Sequence, residues 1–246
     1  MRPASTRGTV AAALLIAAAL TGCTGADQPT SEPTARPVTS EEAQLLAITR
    51  FTNYDTGSRP FTTSLDVSGV ETAMTGWVDY VSALGYASVT GSFGAEALLW
   101  TDGALGAIPS EPDAEGYPVL PIAPASDPDW QIQQLDPSAS ALDALLAAIS
   151  ALGSDRPDNP LLVQQSGALW LREDQVDGTA VTVFAAPPSD APVEGEAPTE
   201  DASSLRLWVA ASGLLLRAEV RLNDGWTTVD FPDAPAPTLE LPEPVE

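Results

Sequence analysis

The chain has 246 residues, with 34 acidic residues against 10 basic ones and no histidine, for a formal charge of −24. All of the bases are arginine. That balance argues against nucleic acid, whose phosphates need clustered cations, and against electrostatic adhesion to anionic lipid. Without histidine there is no Ser-His or Cys-His dyad and no common cysteine–histidine zinc site. Without lysine there is no phosphate-binding Walker loop and no Schiff base. Paired carboxylates and oxygen-ligand calcium sites are the chemistry that survives.

Arg2 and Arg7 precede an apolar run from Val10 to Leu20. A positive start, a short apolar core and small residues at its end describe a secretory signal, and the run is too short to span a bilayer. It closes on Leu20-Thr21-Gly22-Cys23, which holds the sole cysteine of the chain. This tetrapeptide resembles the lipobox of bacterial lipoproteins. The resemblance implies removal of residues 1–22 and a diacylglyceryl thioether on Cys23. Two or more acyl chains give stable anchoring where one gives marginal binding. The mature chain would keep eight bases against 34 acids, a net charge of −26. With Cys23 acylated, no thiol nucleophile remains.

Residues 23–38 are rich in Thr, Ser, Pro and Gly and read as a flexible tether. Thr39, with Glu42 three positions on, makes a capping box. The apolar face that follows predicts a helix to about Asn53, ended by Gly57 and Pro60. From 61 to 108 the pattern alternates with period two. The runs 61–67, 74–81, 86–92, 97–101 and 104–108 read as an antiparallel meander, with Asp102-Gly103 as a hairpin signal. Pro109 to Pro128 is expected to be a lid-like or mobile loop, with Trp130 and Ile132 as apolar anchors after it. Asp136 and Pro137 suit the cap and first position of a second helix. Its stripe is Leu142, Leu145, Leu146, Ile149 and Leu152, and Gly153 stops it.

A second set of strands is expected at 161–165, 168–172 and 179–185. Residues 186–203 carry five acids and no base and read as a disordered excursion. The last meander alternates Leu205, Leu207 and Val209 against Arg206 and Trp208. It turns at Gly213, then sets Leu214, Leu216, Ala218, Val220 and Leu222 inward and Arg217, Glu219 and Arg221 outward. Trp226 to Phe231 returns. The proline-rich tail either crosses the sheet or frays, and 243–246 lie beyond the domain.

This order predicts an α+β fold: an antiparallel sheet with at least two helices on one face, in a single domain over 39–242. The segments Gly76-Trp77-Val78-Asp79-Tyr80, Gly167 to Arg172, Val176 to Val181, Leu207-Trp208-Val209, Leu216 to Val220 and Val229-Asp230-Phe231 carry a further likeness. Through them the chain resembles the actinobacterial lipoproteins of the LppX and LprG kind, and the carrier LolA whose fold they share. The resemblance implies a strongly curved, unclosed half-barrel, helices over its concave side, and between them an apolar cavity for acyl chains.

Two functions compete with a catalytic one. The first is a lipid or glycolipid carrier anchored at the extracytoplasmic face of the cell membrane. Its cavity lining, chosen from period-two alternation, would be Met74, Val78, Tyr80, Leu99, Val181, Val183, Leu207, Val209, Leu216, Ala218 and Val220. The second is a non-enzymatic accessory of the same fold whose acidic loops meet another envelope protein. A carboxylate hydrolase would need pairs such as Asp127 with Asp129 or Asp155 with Asp158, which read as turn residues. No enzyme activity, cofactor, metal or nucleic-acid partner is expected, and a monomer is.

Overall fold

The capping box of the first helix forms as its sequence dictates: the Thr39 hydroxyl accepts from the Glu42 amide at 3.3 Å, and the Glu42 carboxylate accepts from the Thr39 amide at 2.8 Å. The computed structural model describes residues 34–67, 69–92, 94–188, 198–223 and 225–241, which belong to one compact unit. Cys23, the signal segment, most of the tether and the centre of the acidic excursion fall outside them.

In chain order the elements are β1 (Arg36–Pro37), α1 (Ser40–Thr56), β2 (Ser58–Val67), β3 (Val70–Asp79), β4 (Leu84–Gly91), β5 (Gly94–Trp100), β6 (Ala104–Pro109) and β7 (Gln131–Gln134). Then come α2 (Ala141–Ser150), α3 (Pro160–Gln165), β8 (Leu169–Val176), β9 (Thr179–Ala185), a short 3-10 turn (Glu200–Ala202), β10 (Leu205–Ala210), β11 (Leu215–Leu222) and β12 (Gly225–Asp230). All twelve strands join one antiparallel sheet in the order β1-β8-β9-β10-β11-β12-β2-β3-β4-β5-β6-β7. The sheet is two meanders, β2–β7 and β8–β12. Among the described residues they are joined only where Thr62 and Thr63 of β2 face Asp230 and Val229 of β12, with the Thr63 hydroxyl donating to the Thr228 carbonyl at 2.7 Å. The outer strands β1 and β7 do not meet, so the sheet is open.

Curvature follows from what the inner face touches. One contiguous core joins Leu105 of β6, through Trp100, Val78 and Phe61, to Leu207 of β10 and Phe184 of β9, with Leu145, Leu146 and Ile149 of α2 at its centre. Laid flat, eight strand spacings would hold β6 and β9 about 38 Å apart. Phe61 and Trp100, three strands apart, meet edge to face at 6.1 Å. Small residues on the inner face permit this. A Cβ on Gly85 would lie 2.0 Å from the Trp100 indole, and one on Gly76 would lie 2.4 Å from Ala87.

The outer face is covered too. Leu169, Leu171, Val176, Val181, Val183 and Trp208 form one patch over the C-terminal meander. Trp77, Tyr86, Ala97, Ile108, Ile122 and Leu239 form another over the N-terminal one. The proline-rich loop 109–128 packs on this second patch: Tyr117 stacks on Trp77 at 4.6 Å, and the Tyr86 hydroxyl donates to the Val119 carbonyl at 3.0 Å. The tail crosses the same patch, where the Leu239 amide donates to Asp79 at 3.1 Å.

Several expected elements differ. The second helix starts at Ala141, because Ser140 takes the cap by accepting from the Asp143 amide at 3.0 Å. Asp136 instead closes a turn on Ser138 at 2.9 Å. Residues 161–165 form a helix and not a strand, since Asn159 caps the Leu161 amide at 3.0 Å and Pro160 fills the first position. Ile132 is exposed rather than an anchor. Of the 186–203 excursion, the described end is ordered: Glu200 pairs with Arg206 at 2.7 Å.

Candidate functional site

An apolar hollow lies beside α2, not beneath it. Its geometry comes from how α3 is held. Along α1, Arg50 donates to the Ala151 carbonyl at 2.9 Å and to the Asp158 carboxylate at 3.2 Å. Its own carbonyl accepts from the Ser154 amide at 3.1 Å, and the Ala47 carbonyl accepts from Asp158 at 2.8 Å. Gln164 reaches the Ser40 hydroxyl at 3.3 Å. These bonds fasten the α2–α3 connection and α3 to α1, and α3 buries none of its own residues. A cleft of about 380 Å³ remains between α1, α3, the end of α2 and β10. Leu46, Leu152, Leu162, Val163, Leu205 and Leu207 give it apolar walls, while Arg50, Asp158, Asn159 and Ser166 supply polar groups. The volume falls in the roughly 300–1,000 Å³ range of small-molecule sites and exceeds the cavity of about 150 Å³ that holds benzene.

A buried polar network backs α1. The Asn53 amide donates to the Leu152 carbonyl at 2.8 Å, and its oxygen accepts from Arg59 at 3.1 Å. Arg59 also donates to the Leu215 carbonyl of β11 at 2.6 Å and lies over the Phe231 ring at 4.9 Å. Burial lowers the guanidinium's proton affinity, countered by Tyr80 and Asp233. Tyr80 is buried over Gly153, its hydroxyl without a partner among the described residues and its pKa raised by desolvation.

The predicted lining residues separate into three groups. Met74, Val78, Tyr80, Leu207, Val209, Ala218 and Val220 belong to the inner core. Only Leu207 among them lines the cleft; the others are packed solid. Val181 and Val183 lie on the outer face with Trp208, and Leu216 packs against the same patch. Leu99 packs with Trp77 and Tyr86 on the other outer patch. The physical reason differs by strand. A bulge between Trp208 and Val209 inserts Leu216 into the β10–β11 ladder, so Leu215 takes the inward place. In β9, Val183 pairs with outward Trp208 while Phe184 pairs with inward Leu207. Both faces of that strand are apolar, and alternation alone does not say which is concave.

Sequence reasoning missed α3 and Arg50. The available signal was Asn159-Pro160, a cap followed by a first-position proline. The acid pairs serve local structure: Asp127 accepts from the Asp129 amide at 3.0 Å, Asp155 pairs with Arg156, and Asp158 with Arg50. Among the described residues no group of three or more acids or cysteines is placed to hold a metal. No described helix is long and apolar enough to cross a membrane.

No protein-family model matches the chain, and no curated protein does. Among solved structures, it is similar to a crystal structure described as an outer membrane lipoprotein-sorting protein domain from Vibrio parahaemolyticus. The two share 10% identity over 72% of this chain and 82% of that one, with a TM-score of 0.19. The open antiparallel sheet with helices on its inner face stands on its own strand order.

Proposed function

We propose that the chain is a non-catalytic envelope lipoprotein, anchored by acyl groups on Cys23, that shelters an acyl chain of a lipid or glycolipid in the α1–α3 cleft. The observation that carries the reading is the cleft itself, about 380 Å³ and walled by leucine and valine. Apolar surface removed from water contributes roughly 25 cal/mol per Å², so a single alkyl tail gains more by lying there than in solvent. Arg50 and Asn159 at its boundary offer donors to a polar head group. The binding step needs no reacting side chain, and the carboxylate pairs are engaged in turns and arginine contacts. The anchor and cleft together describe a carrier of the LolA and LppX kind, working at the extracytoplasmic face of the cell membrane as a monomer.

Ala148, half-buried at the cleft wall, gives the direct test. Ala148→Phe fills the space and leaves the sheet untouched. A pyrene-labelled fatty acid titrated into the wild-type protein is expected to bind saturably, and the variant to bind at least tenfold more weakly, since closing an apolar site removes about 1.4 kcal/mol or more. Equal binding by both chains, or none by either, removes the carrier reading and leaves an accessory protein that meets its partners through acidic loops.

A further inference from the structure

The cleft has a mouth, and what surrounds it is unusual for a chain this acidic. Leu161 and Leu162 are 65% and 62% exposed, side by side on α3, which has no fully buried residue. From Asn159 to Leu171 there is no charged residue, although the whole chain carries −24. Contiguous exposed apolar surface of this kind marks an interaction site.

The chain outside the described residues says what covers it. The first described strand, Arg36–Pro37, pairs with Trp170 and Leu169, just after α3. The Val38 amide then bonds to the Ala168 carbonyl at 3.4 Å, and Ser40 holds Gln164 of α3. The tether therefore enters the domain beside α3 and the cleft. From Cys23 to Thr34 the backbone spans at most about 40 Å. An acyl group on Cys23 thus keeps this corner of the domain within about 40 Å of the bilayer. Trp170, a side chain suited to membrane interfaces, lies at the same corner with Arg36 over its ring at 4.4 Å.

We propose that the α3 face, led by Leu161 and Leu162, docks on the lipid surface to which the chain is tethered, so that the cleft opens onto the leaflet and exchanges its acyl chain there. This rests on the anchored-carrier reading above. The net charge selects the lipid: docking is favoured on zwitterionic phosphatidylcholine. Anionic lipid opposes it at low salt, and added salt relieves that repulsion by screening.

The single cysteine makes the test clean, because acylation of Cys23 leaves the wild-type lipoprotein without a free thiol. Acylated full-length Leu161→Cys and Ile132→Cys chains are labelled with bimane and reconstituted in phosphatidylcholine vesicles containing brominated lipid. Ile132, 70% exposed on β7, is the control. Quenching several times stronger at position 161 than at 132 supports the proposal. So does Leu161→Ser if it slows pyrene fatty acid transfer from vesicles severalfold while its affinity in solution stays unchanged. Equal quenching at the two positions overturns it. Protection at 161 that grows with protein concentration without vesicles also overturns it, in favour of a second copy on this face. A wild-type lipoprotein that takes label at Cys23 overturns it by removing the tether. The fatty acid titration is read separately: its failure with quenching at 161 intact sustains docking and removes the carrier reading alone.

Discussion

α2 and α3 are both short, apolar and capped by a side chain, yet one is sealed in the core and the other lies largely exposed, with Val163 half-buried against that core. Leu145, Leu146 and Ile149 of α2 are 0% exposed, while α3 has no buried residue. α2 lies in the concavity, where strands of both meanders close on it. α3 is held off the sheet by α1, through Arg50, Asp158 and Gln164. The contrast shows that sequence hydrophobicity does not choose the core; position relative to the bend does. It also shows why the hollow is lateral. The concavity is filled by α2, and an apolar cleft is left where α3 is propped away from β10.

The sharpest way to break the contrast is to delete the same group from each helix. Leu146→Ala is expected to cost about 2–5 kcal/mol by transfer and cavity terms. Leu162→Ala is expected to fall within about 0.5 kcal/mol of wild type. Urea unfolding of both measures it, and a comparable loss from Leu162→Ala would mean that α3 is seated on the sheet after all.

A smaller effect is expected where the rear of α1 is fixed. Asn53→Ala removes a partner from the buried Arg59 guanidinium and from the Leu152 carbonyl, for a loss of about 1–3 kcal/mol. Calorimetry reads it. An unchanged Tm would show that Phe231 and the Leu215 carbonyl suffice for Arg59.

The smallest effect separates the two sides by pH. Arg36 grips Glu42 through bonds of 2.7 and 2.8 Å and holds its carboxyl below the usual range, with desolvation opposing. A depressed folded value means the stabilisation is present above the unfolded carboxylate pKa of about 4 and is lost as pH falls through the lower folded one. Glu42→Gln is therefore expected to flatten the acid limb of a Tm–pH curve. Leu146→Ala should shift that curve down without changing its slope.

Much of the fold was legible. The Thr39–Glu42 box places the first helix, and the hairpin signal Asp102-Gly103 with the alternating runs places most of the meander strands within a few residues. The candidate site was less so. The expectation of inward Val181, Val183, Leu216 and Leu99 rested on an outer face that is polar, but this sheet carries apolar patches on both faces, and its own loop and tail cover the one that holds Leu99. A bulge at Leu216 leaves no mark in a leucine-rich run, because Leu214, Leu215 and Leu216 are interchangeable on paper. Asn159-Pro160 did announce a helix, and the apolar triplet after it hid that signal by reading equally well as a strand.

The junction of β2 with β12 has a consequence for how the molecule assembles. Every other long strand pairs with its neighbour in sequence, whereas Thr63 must find Thr228 across 165 residues. Closing so large a loop is entropically unfavourable, and few contacts reward it. Pairing within each meander closes short loops, whereas their union carries the long-loop cost. What offsets that cost is the core the two meanders share, with Leu145, Leu146 and Ile149 of α2 clamped between them, so the helix and not the ladder ties the two halves into one unit.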